Sequence, residues 1–596
     1  MTRRARPPWD FDYRPILPPD PGRSGACDLV IALGDRAPLD RAQDTFARAA
    51  AEVTVEEVLA IAPLFWLRVR GPSAVEPARV AEIAAALGSV RYVASARHGS
   101  QAWAPSFVAS PQHAARATGW SVREPGAGDD PSGAAAWFLA SEGGGVSVRR
   151  DVTGTGAGTR LAVIDDDAAD AEMLGLDAEI PILIERTTRA QKHGALMVAW
   201  ASGAPRAEPP FRGVAPDASP RLYVIPKPGD DVLSMPLALV RAVADGADVI
   251  VCATYLEGAS GPLLDDALAF AERLGRGGRG CVVVMPTGRQ TSSPPGSVHA
   301  SFALSFGDPA ADPRVICVGP AARGGGWFFY RDRRKLARPF GNRGPAVRLL
   351  APGDDLPYPL GGAPRLCHAE SSGAAAVAAG VALLVLANNP ELRARDVHAI
   401  LERTAEPIAP EADARWAPFA DAHDTLPTGR DPDGHSAKHG YGAVCAERAC
   451  LCAACPVAFA LARIGETSAA ASFRAMRRRE PDVGAAFSRD LGSRIVRALL
   501  SDARLDHAAR AIARHVRLLA ADPRRALDFP AGALARQVAL LLRGVLEIEA
   551  DPLPEALRRE ASALLVRLAA APHVEEAWLR LATRLFSPTA APVPDS

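Results

Sequence analysis

The chain has 596 residues, 48% of them hydrophobic and 23% charged, with 68 basic side chains set against 68 acidic ones. That length exceeds what one ordinary core serves and predicts about two to four domains. The even charge balance gives DNA, RNA and anionic membrane surfaces no whole-chain attraction, so neither nucleic acid nor a membrane is expected as a partner.

Residues 1–25 are rich in Pro and Arg, lack apolar periodicity and read as a disordered lead-in. They begin basic but run into Pro, Asp and Gly instead of the apolar stretch that a secretory signal requires. No later segment offers about 18 consecutive apolar residues, the length of a membrane span. The nine cysteines are an odd number, and Cys252, Cys281 and Cys317 sit singly in apolar runs, as reduced core thiols do. These features together predict a cytoplasmic protein.

Residues 26–97 form the first patterned unit. DLVIAL (28–33) predicts a strand, LDRAQDTFARAA (39–50) a helix, 55–71 strand structure, VEPARVAEIAAAL (75–87) a helix and VRYVASAR (90–97) a strand. The order β-α-β-β-α-β is that of a small ferredoxin-like α+β domain. Residues 98–150, with GAGDDPSGAAA and SEGGG, read as a linker. From 151 to 457, RLAVID, RLYVIP, ADVIVCA, CVVVMP and VICVGP alternate with Ala- and Leu-rich helical stretches, the pattern of an α/β fold: a mostly parallel sheet with helices on both faces. Residues 458–588 are helical throughout: Ile495, Val496 and Leu499, then Ile512, Val516 and Leu519, recur three or four apart. They predict an all-α domain that could bind a protein partner, and 589–596 is a disordered tail.

In an open α/β sheet functional groups gather past the carboxyl ends of strands. RLAVIDDDA ends its strand on Asp165, KHGALMVAW puts His193 at the start of an apolar helix, and HAESSGAAAVAAG puts Ser372 at the start of an Ala-rich one. A serine hydroxyl becomes a nucleophile when an imidazole takes its proton, and the imidazole needs a carboxylate to fix its tautomer. Singly, each residue reads more simply as a turn, a structural histidine or a helix cap; the set of three points to acyl transfer.

These segments resemble the subtilisin-like serine peptidases. GTGAGTRLAVID is similar to the family's glycine-led strand ending in the catalytic aspartate, KHGALMVA to its histidine helix, and ESSGAAAVAAG to its serine motif in register. FRGVAPDASPRLYVI, GADVIVCA, VICVGP, FGNRGPAVRLLAPG and KHGYGAVCAERA follow as landmarks in the family's order. The resemblance covers 151–457 and implies a subtilisin-like fold and a serine endopeptidase acting on peptides or proteins. Asp165, His193 and Ser372 would be the triad, with no cofactor or catalytic metal required and structural calcium left open. It also makes residues 26–97 similar to the propeptides of the family, against the alternative of an unrelated ferredoxin-like module.

The chain departs from the family at several positions. Arg289 stands where the family supplies an oxyanion-hole asparagine, and Glu370 stands where it has glycine. Loss of such a donor costs about 100- to 1000-fold in turnover, although arginine is itself a donor. Opposite charges at Arg289 and Glu370 are expected to pair across the oxyanion hole. Asp166 and Asp167 read as a solvated acidic turn, or as charges that raise the pKa of His193. Ala253, Thr254 and Tyr255 align with the substrate-pairing edge strand; the Tyr255 ring would narrow the cleft, unless an insertion carries it away. These departures make a pseudopeptidase that binds or scaffolds the alternative reading.

Two further motifs are discounted. Cys445, Cys450, Cys452 and Cys455 thread through a helical run with no second pair, which favours packed thiols over zinc. GTGAG precedes its strand instead of following it, which excludes a phosphate cradle. A lipase- or esterase-type enzyme is the weaker reading, because those enzymes place the serine in Gly-x-Ser-x-Gly and order the triad Ser, Asp, His, against Asp, His, Ser here.

Overall fold

The computed structural model describes residues 27–50, 52–71, 77–95, 122–123, 137–140, 144–166, 171–174, 179–181, 192–225, 233–253, 261–288, 309–331, 337–339, 341–360, 366–408, 429–454, 495–496, 499, 505–511 and 559. The first unit contains β1 (Cys27–Leu33), α1 (Ala37–Ala49), β2 (Thr54–Ile61), β3 (Leu64–Gly71), α2 (Pro77–Ala85) and β4 (Val90–Ser95). Its strands form an antiparallel sheet in the order β2-β3-β1-β4, with every residue of β1 in register against β3. Alternation gives this sheet two apolar faces. Leu29, Ile31 and Leu33 pack with Phe46, Val80 and Ile83, while Val30, Ala32, Leu64 and Trp66 belong to the core of the larger domain.

That larger domain is built on β6 (Arg160–Asp165), β7 (Glu179–Pro181), β10 (Ser219–Val224), β11 (Val249–Cys252), β12 (Val282–Pro286), β13 (Val315–Ala321) and β16 (Leu349–Pro352). They lie in the order β16-β13-β12-β11-β6-β10-β7, and every neighbouring pair is parallel. Short pairs surround it: β8 (Gly203–Ala204) with β9 (Phe211–Arg212), β14 (Phe329–Arg331) with β15 (Ala337–Pro339), and β17 (Leu356–Pro357) with β18 (Leu366–Cys367). The strand order reverses between β6 and β11, the topological switch point of the sheet.

A parallel sheet needs both faces covered, which is why its strands read as unbroken apolar runs. Leu161, Val163, Val251, Val284 and Val318 point to the face packed by α3 (His193–Ala201) and α6 (Glu370–Asn388). Ala162, Ile164, Ile250, Val283 and Cys317 point to the face packed by α4 (Ser234–Ala244) and α5 (Pro262–Gly278). On this second face the N-terminal sheet is also docked: Arg91 forms two bonds of 2.7 and 2.6 Å with the Asp266 carboxylate of α5, and the Tyr92 hydroxyl donates to it at 2.6 Å. α6 is apolar and long enough to span a membrane by length and composition, yet 83% of that window is buried within the protein.

The structure revises the expected linker over 98–150. Val122–Arg123 forms β5, paired antiparallel with β18, and Trp137, Phe138 and Val146 are core residues of the large domain. Their apolar side chains are embedded in Ala-, Gly- and Ser-rich sequence, which masked them. α7 (Ala394–Thr404) and α8 (Ala446–Ala454) complete the domain. Of the region 458–588, Ile495, Val496, Leu499, Leu505 and Ala509 pack into the same core. The other periodic residues expected there, with the lead-in and the tail, lie outside the described residues.

Candidate active site

Asp165 is the last residue of β6 and is fully buried. Its Oδ2 lies 2.6 Å from Nδ1 of His193, and its Oδ1 accepts the amide of Asp166 at 2.8 Å. An ionised carboxylate only accepts, so Nδ1 of His193 carries the proton and Nε2 is left as the basic nitrogen. His193 opens α3, whose remaining residues are all buried, so the ring is anchored by a helix that cannot shift without disturbing the core.

Ser372 lies in the first turn of α6, and its hydroxyl points at the Ala253 carbonyl at 3.4 Å. Ala253 directly follows β11, and its amide donates to the Ile164 carbonyl, one residue before Asp165, at 3.1 Å. Asp165, Ala253 and Ser372 therefore meet at the carboxyl ends of the two strands that flank the switch point. The positive end of the α6 dipole is directed at the same place.

Two glycines bring α3 and α6 together. A Cβ on Gly373 would meet Ala369 at 2.3 Å and the Trp200 ring at 3.3 Å; one on Gly380 would meet Val214 at 2.5 Å and the Ala201 carbonyl at 2.8 Å. Seven residues apart, they lie on one face of α6. The approach to the serine is equally tight. The Glu370 amide donates to the Gly353 carbonyl at 2.7 Å, and a Cβ on Gly353 would come within 2.4 Å of the Glu370 carbonyl. Glu370 has φ +58°, a left-handed conformation that glycine adopts freely and other residues adopt at a cost of about 1 kcal/mol.

Ala253 is buried beside the site. Thr254, Tyr255, Arg289 and Asp167 lie outside the described residues, and with them the expected Arg289–Glu370 pair and the Tyr255 constriction. Gly288, which precedes Arg289, has φ +73°, and the buried Thr287 hydroxyl has no hydrogen-bond partner among the described residues. Cys252, Cys281 and Cys317 are buried, as their apolar settings predict; burial raises the Cys252 pKa and pushes that of Cys281 up to about 12. Cys445, Cys450 and Cys452 are buried as well.

A second histidine–carboxylate pair escaped the sequence reading. His368, four residues before Ser372, bonds through Nδ1 to Asp354, and its ring stacks on Phe328 with centroids 5.6 Å apart. With Asp355 these two side chains place three metal-ligating groups within 4.8 Å of one another, all half-buried.

Comparison with known proteins agrees with this architecture. Residues 157–442 match the model of the subtilase family, peptidase S8. The chain carries a subtilase domain. No curated protein matches the chain. Among solved structures, fervidolysin from Fervidobacterium pennivorans, a keratinolytic enzyme related to subtilisin, is 17% identical, over 72% of this chain and 61% of its own, with a TM-score of 0.45. MycP1 from Mycobacterium smegmatis is 18% identical over 56% of this chain and 88% of its own, with a TM-score of 0.37. Subtilases are a family of serine peptidases, and the parallel sheet at the centre of this domain is subtilisin-like.

Proposed function

We propose that the chain is a serine endopeptidase working through Ser372, His193 and Asp165. Nε2 of His193 takes the Ser372 proton as Oγ attacks a peptide carbonyl, and then delivers it to the departing amine, leaving an acyl-serine. Water, activated by the same nitrogen, releases the acid and restores the serine. Asp165 holds the ring in its Nδ1–H tautomer and stabilises the imidazolium. The backbone amide of Ser372 and the Arg289 guanidinium would receive the oxyanion, and Ala253, Thr254 and Tyr255 would flank an extended substrate. The chemistry calls for no cofactor.

The observation that carries this reading is the 2.6 Å bond from His193 to a fully buried carboxylate, one strand away from the carbonyl that holds the Ser372 hydroxyl. The N-terminal sheet fits a propeptide-type role, because it covers α4 and α5 through apolar contacts and the Arg91–Asp266 pair. A cytoplasmic location and a protein partner for 458–588 belong to the same proposal. The test is hydrolysis of an unfolded protein substrate by the full chain and by Ser372→Ala; cleavage that persists in the variant refutes the assignment.

A pseudopeptidase is the second reading, and one observation favours it: Glu370 takes the family's glycine position at positive φ. Folded protein that cleaves nothing would select this reading.

A further inference from the structure

The amino ends of β6 and β10 lie at the edge of the sheet opposite Asp165, and they carry charge that peptide hydrolysis does not use. Arg160 opens β6 in register with Ser219 of β10, and Arg221 follows in register with Ala162. Side chains two apart share a face of a strand, so Arg221 lies on the same side as Tyr223, which packs in the core with α4. Arg241 and Asp245, at the end of α4, close the other side.

Between these elements is a cleft of about 480 Å³ whose lining includes Arg160, Arg221, Arg241 and Asp245, with Ala162 and Ala247 also contributing. The two alanines leave the hollow that larger side chains would fill. Its size falls within the range of about 300 to 1,000 Å³ typical of small-molecule sites.

The charges do not balance. Asp245 faces Arg241 at 3.1 Å and Arg221 at 3.6 Å, and it also accepts the Tyr223 hydroxyl at 2.9 Å, so one carboxylate serves two guanidinium groups and a phenol. Arg160 makes no ion pair among the described residues. The nearby Asp248 takes the Arg160 backbone amide at 2.9 Å and the Arg276 side chain at 3.0 Å. The Arg160 guanidinium is held over Gly246, where a Cβ would come within 2.6 Å of Nη1, and Gly246 itself turns the chain at φ +84°. Three guanidinium groups around one shared carboxylate leave two positive charges in a concave site.

We infer that this cleft binds a small dianion, a phosphate group or a dicarboxylate, between Arg160, Arg221 and Arg241. Guanidinium forks match both ligands, because two N–H donors meet two oxygens in one plane. A ligand here would tie β6 to β10 and α4 without entering the cleft at Ser372, so binding is separable from hydrolysis.

Isothermal titration of the full chain at low salt with inorganic phosphate, and in parallel with malonate, tests the site and distinguishes the two chemistries. One saturable site is expected for at least one probe. Arg160→Gln and Arg221→Gln should each weaken it about tenfold, the loss expected for one charge-assisted contact. Asp245→Asn should tighten binding about threefold, because it removes the competing charge and keeps an acceptor for Tyr223. Absence of saturable binding for both probes overturns the inference, as does binding that Arg160→Gln and Asp245→Asn leave unchanged. Circular dichroism of each variant separates loss of binding from loss of fold.

Discussion

Two of the histidine–carboxylate pairs, His193–Asp165 and His368–Asp354, differ in burial. His193 and Asp165 have side-chain exposures of 15% and 0%, whereas His368 and Asp354 have 31% and 16%. Asp165 is fully buried, with one oxygen on the ring and the other on a backbone amide. Asp354 stands next to a second carboxylate, Asp355, at a surface where solvent screens the attraction. The same two residue types therefore make a buried pair in one place and a half-buried, partly solvated pair in the other. A third histidine sharpens the contrast: His398 of α7 has an Nε2 shielded from solvent with no hydrogen-bond partner among the described residues, and burial together with the Arg348 charge pushes its pKa down to about 3.

If burial makes the difference, the variants should rank accordingly. Asp165→Asn should lower kcat by about 10⁴-fold with KM nearly unchanged, because the amide favours the wrong tautomer of His193; a loss below tenfold in steady-state kinetics would put the two pairs on the same footing. Gly380→Ala should destabilise the chain by about 2 kcal/mol, since overpacking against Val214 and the Ala201 carbonyl outweighs the helix preference for alanine. Denaturant titration reads this directly.

The His398 prediction concerns pH. Its folded pKa lies below the unfolded value of about 6.5, so the unfolded chain binds the extra proton and stability is full above that pH. Stability should fall as the pH drops from about 6.5 toward 3, with this histidine contributing up to about 1.4 kcal/mol per pH unit. In His398→Phe that part of the slope should vanish in thermal melts across the window. The smallest effect is expected at the half-buried pair: His368→Ala should change kcat/KM less than about threefold, and a loss near that of Asp165→Asn would make the comparison wrong.

Much of the large domain could be read from its amino acids, because strands buried on both faces must be apolar at every position, as in VIVC of β11 and VVVMP of β12. Asp165 was visible because it ends such a strand, and His193 and Ser372 because they lie in the first turns of apolar helices. The contacts that bring them together were not. The Ala253 carbonyl, the Gly380 approach to Ala201 and the pairing of β5 with β18 each join segments far apart in the chain, and no local periodicity encodes them. His368 and Asp354 meet because β17 and β18 pair, and Trp137 and Phe138 reach the core from a stretch whose composition reads as a linker. Glu370 was legible as a substitution for glycine, while its positive φ needed the backbone of Gly353 beside it.

The central claim is that Ser372 is a nucleophile activated by His193, and reaction with a fluorophosphonate probe tests it most directly. Stoichiometric labelling that mass spectrometry maps to Ser372, absent in Ser372→Ala and strongly slowed in His193→Ala, is the predicted result. Folded protein that stays unlabelled after cleavage between the N-terminal sheet and the subtilase domain, or that labels equally well in Ser372→Ala, would contradict the account.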